Sequence, residues 1–61
     1  MASSNELFEK MIELGREFKA NHEVFAEKGN KAAGARARKA IGELKKMVTA
    51  YRQASVSESK S

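Results

Sequence analysis

The chain has no cysteine, no proline, no tryptophan and no aspartate among its 61 residues, and only one histidine. Without cysteine there is neither a disulfide framework nor a thiolate metal site. One His with no Asp gives too few ligands for a metal centre and no catalytic triad. No paired titratable groups fall at a spacing that would build an active site, so an enzyme is the least expected class, and no cofactor or small-molecule substrate is expected. No apolar run approaches the ~18 residues a membrane span needs, and no charged-then-apolar leader opens the chain. The expected setting is therefore cytoplasmic, away from any membrane. A chain of this size buries only about 60% of the surface its unfolded form exposes. It needs support from dimerisation or from folding on its target.

With no proline, long helices can run unbroken, and the apolar spacing asks for two of them. Ser3 and Glu6 have capping-box spacing, a hydroxyl at the helix entry and a Glu three residues on. From there Leu7, Met11, Leu14, Phe18 and Phe25 recur in steps of four and three, with Asn21 in the missing place, which predicts an amphipathic helix over 4–27. Gly29-Asn30 is the break, set in a turn over 28–30. Gly accepts the left-handed conformation that ends a helix, and Asn caps the next one. A second seam runs through Gly34, Ala37, Ile41, Leu44, Val48 and Tyr51, predicting a helix over 31–54. Ala33, Ala40, Met47 and Ala54 widen that seam along one flank. The Ser-rich end, 55–61, is expected to fray. The fold class is all-α, a single domain over 1–61 built as an antiparallel two-helix hairpin. Phe8 and Ile12 project beside the seam, so two hairpins are expected to pair as a homodimeric four-helix bundle.

Charge divides the chain as sharply as the apolar pattern does. Met1–Glu27 carries six Glu against Lys10, Arg16 and Lys19, whereas Lys28–Ser61 carries nine Lys/Arg against Glu43 and Glu58. A basic half on a small chain implies a polyanionic partner. Lys31, Arg38, Lys45 and Arg52 are each seven residues apart and form one row along the second helix, about 31 Å long at 1.5 Å per residue. Lys39 and Lys46 lie one position round, and Arg36 reaches the same region near the turn. Such a row suits the phosphates of duplex DNA, where each contact releases condensed counterions. No aromatic residue interleaves with the cations, so stacking on single-stranded bases is not expected. No Asn or Gln sits among them, so base-specific readout is not expected either.

The stretch Glu27–Ala40, EKGNKAAGARARKA, continues through Leu44-Lys45-Lys46, Tyr51-Arg52 and Ser55-Val56. It resembles the bacterial linker-histone-like nucleoid proteins best known from chlamydiae. The resemblance implies a DNA-associated nucleoid protein that binds with little sequence preference and compacts or bridges duplexes. It carries Lys31, Arg36, Arg38 and Lys39 over as candidate DNA contacts. The chlamydial proteins continue into a long Lys/Ala-rich tail, while this chain ends at Ser61. It is therefore read as a short form in which the hairpin itself must bind.

Two other functions compete with this one. A coiled-coil adaptor would use its two charge halves to specify a protein partner. An RNA-associated protein would use the same cations, because phosphate contacts alone discriminate little between nucleic acids. His22 near the seam is expected to be structural or solvated, Tyr51 to pack on Leu7, and Met11 and Met47 to fill the core.

Overall fold

A computed structural model of the chain describes residues 3–60. Met1, Ala2 and Ser61, which the expected domain and fraying end include, lie outside the described residues. Two helices, α1 (Ser4–Lys28) and α2 (Lys31–Ser59), pack against each other, and no strand occurs among the described residues. The hairpin is a rod with principal extents of 48 × 14 × 14 Å.

Each helix end has a physical cause. Ser3 is extended (φ −75°, ψ 161°), and its hydroxyl oxygen accepts the Glu6 N–H at 3.2 Å, satisfying one of the free donors of the first turn. Gly29 sits in the left-handed region at φ 63° and donates its N–H to the Phe25 carbonyl at 2.9 Å, closing α1. A side chain here would meet the Cβ–carbonyl clash that makes this conformation costly for other residues. Asn30 then opens α2, its Oδ1 accepting the Ala33 N–H at 3.0 Å. Two residues therefore reverse the chain.

The helices meet along a seam in which small residues do most of the packing. Ala33, Gly34, Ala37 and Ala40 of α2 are buried, and Leu14 is the buried residue of α1. Leu7, Met11, Phe18, Asn21 and Val24 of α1 and Leu44, Met47, Tyr51, Ala54 and Ser55 of α2 are half-buried. This corrects the expected seam. Ile41 and Val48 stand 44% and 42% exposed, and Phe25 is 41% exposed. α2 turns its alanine flank inward in place of its β-branched stripe, because Ala lets two backbones approach where Ile and Val would hold them apart. Phe25 keeps part of its expected role: its ring lies so close over Gly34 that a Cβ built there would come within 2.7 Å of Cδ1.

α2 is also longer than expected, running past 54 to Ser59. The Ser59 hydroxyl donates to the Ser55 carbonyl at 2.9 Å. Glu58 reaches across the hairpin, where its carboxylate accepts the Ser4 N–H at 2.8 Å and also the Ser4 hydroxyl. A carboxylate at the first turn of α1 satisfies a free donor and complements the helix dipole. These hydrogen bonds hold the Glu58 carboxyl below its ordinary pKa, the Ser4 hydroxyl contributing most and the Ser4 N–H next. Serine and glutamate carry no apolar periodicity, so a reading by hydrophobic pattern has no way to see this clasp.

Candidate nucleic-acid interface

The cations expected to meet DNA all sit on α2, and Lys31, Arg36, Arg38, Lys39, Lys45, Lys46 and Arg52 are all exposed. α2 carries these seven against Glu43 and Glu58. α1 carries six Glu against four Lys/Arg. At about 100° per residue the α2 cations fall into two sets on either side of an outward crest of Ala35, Gly42 and Thr49. Lys31, Arg38, Lys45 and Arg52 form one slanting row, and Lys39 and Lys46 stand across the crest.

Their surroundings differ. Arg36 turns from the row into the groove between the helices. Its Nε donates to Asn21 Oδ1 at 2.8 Å, and Asn21 Nδ2 in turn donates to the Glu17 carbonyl at 2.8 Å. Glu17, Asn21, Arg36, Lys39, Ala40 and Glu43 line one shallow polar pocket there. Arg36 and Lys39 thus share their space with two carboxylates. The row on the other side of the crest faces neither acid of its own helix, since Glu43 lies in that groove and Glu58 is held by Ser4. Among the described residues, none of Lys31, Arg38, Lys45 and Arg52 forms an ion pair. The ion pair Lys19–Glu23, at 3.6 Å, lies within α1.

Sequence reasoning missed two features of this surface. Lys60 lines a shallow groove with Arg52 and Val56, extending the basic surface past the point where the helix was expected to stop. The diversion of Arg36 by Asn21 was also missed. The gap that Asn21 leaves in the apolar series of α1 was its only trace. His22 is exposed, its ring stacked on Phe18 with centroids 6.1 Å apart. Among the described residues no group of carboxylates and imidazole could hold a metal ion. None of the described helices is long and apolar enough to cross a membrane.

The profile of the family described as Histone H1-like protein Hc1 matches residues 5–61. The chain belongs to this Hc1 family. No curated protein and no solved structure matches it. For this Hc1 member, the family carries a role as a histone-like DNA-binding protein of the nucleoid and is not a class of enzymes. The hairpin's excess of cations over carboxylates lies on α2.

Proposed function

We propose that the hairpin binds duplex DNA through its phosphates, with little regard to sequence, and thereby compacts or bridges DNA in the cytoplasmic nucleoid. One observation carries this reading: the row Lys31, Arg38, Lys45 and Arg52 runs along one side of α2 with no carboxylate of that helix beside it. Spanning about 31 Å, it is close to the length of one turn of DNA. Lys39 and Lys46 flank the row. Arg36 binds more weakly in this scheme, because Asn21 already takes its Nε. The crest of Ala35, Gly42 and Thr49 adds little bulk between the two sets. No Asn or Gln interrupts the row between Lys31 and Arg52, so affinity in this scheme comes from counterion release.

A gel shift with random-sequence duplex at several salt concentrations tests this directly. With about six phosphates neutralised, the log–log slope should be near −5. Changing Arg38, Lys39 and Lys45 together to Gln preserves helix propensity and should lower affinity at moderate salt at least tenfold with little change in Tm. Changing Glu9, Glu13 and Glu17 to Gln should leave binding unchanged or strengthen it. An unaffected triple variant of α2 would make the row a solvated face and favour the adaptor. Equal competition by duplex RNA would widen the ligand class to both nucleic acids.

A further inference from the structure

Two of the four glycines have a structural reason to be glycine. Gly29 takes the left-handed turn at φ 63°, and Gly34 lies under the Phe25 ring. Gly42 has neither reason. It stands mid-helix in α2 without a positive φ, and a Cβ built on it would meet nothing within 4 Å. Only Pro is less favourable than Gly in a helix interior. Backbone and packing would therefore both accept a larger side chain there.

What surrounds Gly42 is charge. The neighbours of a residue on a helix surface are those three and four positions away, with about 5–6 Å between Cβ positions. For Gly42 these are Arg38, Lys39, Lys45 and Lys46, so each of the four neighbouring places holds a cation. All four are exposed, and among the described residues none of them forms an ion pair or a hydrogen bond. Glu43 lies about 100° round the helix, in the groove with Arg36. Gly15 is equally open, but its corresponding neighbours are Met11, Ile12, Phe18 and Lys19. Openness and a full ring of cations coincide at Gly42.

We propose that Gly42 is the seat of a single phosphate of the DNA backbone, the point where one strand of the duplex comes closest to the hairpin. The seat rests on the DNA-binding reading and gives it a centre. With no side chain beneath it, a phosphodiester settles among the four arms. Arg38 offers it a planar fork of donors, and the three lysines act as point charges around it. Any side chain at position 42 rises between those arms and holds the strand off. Position matters as much as charge, because a straight rod touches a cylinder closely only over the middle of its length. Lys31 and Arg52 lie about 15 Å from Gly42 in opposite directions, so the seat is the midpoint of the row. Those outer cations take phosphates farther along the backbone.

Bulk without charge tests the seat. Gly42→Leu and Gly42→Gln both introduce better helix formers, so circular dichroism should show intact helices and a Tm no lower than the parent's. Each variant is titrated with random-sequence duplex over a range of salt, beside the parent and Ala20→Leu, which adds bulk to the exposed side of α1. Both Gly42 variants should bind roughly three- to tenfold more weakly at moderate salt, with a log–log slope shallower by about one, the loss of one phosphate contact. Ala20→Leu should bind as the parent does. Parent-like affinity and slope in both Gly42 variants would overturn the seat. Equal weakening by Ala20→Leu would overturn it too, because the loss would not depend on the ring of cations. Should Gly42→Leu fail to fold, Gly42→Gln decides alone. A parent slope near zero would remove the DNA-binding reading and the seat together, a result distinct from a parent that binds and Gly42 variants that bind equally well.

Discussion

The two helices of the hairpin have similar lengths and opposite designs. α1 carries bulk on its inner face (Leu7, Met11, Leu14, Phe18) and a carboxylate-rich exterior. α2 offers Ala33, Gly34, Ala37 and Ala40 to the same seam and wears cations outside. Large residues against small ones bring the axes close without a large core. The difference teaches that packing bulk and positive charge reside on different helices. Packing volume comes from α1, while α2 gives close approach and charge, so the residues that hold the fold are largely not those that would meet DNA.

The largest effect expected from breaking this division is at Leu14, only 7% exposed. Leu14→Ala should cost about 2–5 kcal/mol, enough to unfold so small a domain in thermal melts. A melting curve unchanged from the parent would show that the α1 bulk does not carry the fold.

Gly34 and Gly42 give a smaller and sharper contrast within α2. A Cβ at Gly34 would come 2.7 Å from the Phe25 ring, while one at Gly42 would meet nothing within 4 Å. Gly34→Ala should therefore lower stability by roughly 1–2 kcal/mol, the overpacking cost exceeding the gain in helix propensity. Gly42→Ala should raise it by about 0.5–1 kcal/mol. If the two substitutions shift Tm in the same direction by the same amount, the close approach at the turn is not real.

These substitutions also mark how much was legible beforehand. Gly29-Asn30 announces the turn because a left-handed glycine and a capping amide are local chemistry, and the α1 face follows from its three-and-four spacing. The inner face of α2 was ambiguous for a physical reason. Its β-branched stripe (Ile41, Val48) and its small stripe (Ala33, Ala40, Met47) both lie beside Ala37, Leu44 and Tyr51, and periodicity alone fits either. Interhelical distance decides between them, and that is a property of two helices together. The exposed row of cations on α2 was legible from its seven-residue spacing. Which cation turns aside was not, because Arg36 is diverted by a side chain fifteen positions away. The clasp from Glu58 to Ser4 joins residues 54 apart and leaves no periodic trace.

That clasp gives the smallest expected effect. Glu58 has a lowered pKa because its ionised form accepts from Ser4. Its contribution to stability is therefore present above the unfolded-state pKa and is lost as pH falls through the lowered folded-state value. Glu58→Gln should remove that part of the acid sensitivity while changing Tm little at neutral pH. Melts of the parent and the variant across the acid range should converge at the lowest pH. Curves that stay parallel throughout would show that the clasp does not form.

The same contact has a consequence for anyone attaching something to this protein. Ser4 and Glu58 touch, so the beginning of α1 and the end of α2 share one pole of a 48 Å rod, with the Gly29-Asn30 turn at the other. A fluorophore pair placed near these two residues would read hairpin opening as a loss of energy transfer. A domain fused at either end would sit at that same pole and leave the turn pole clear.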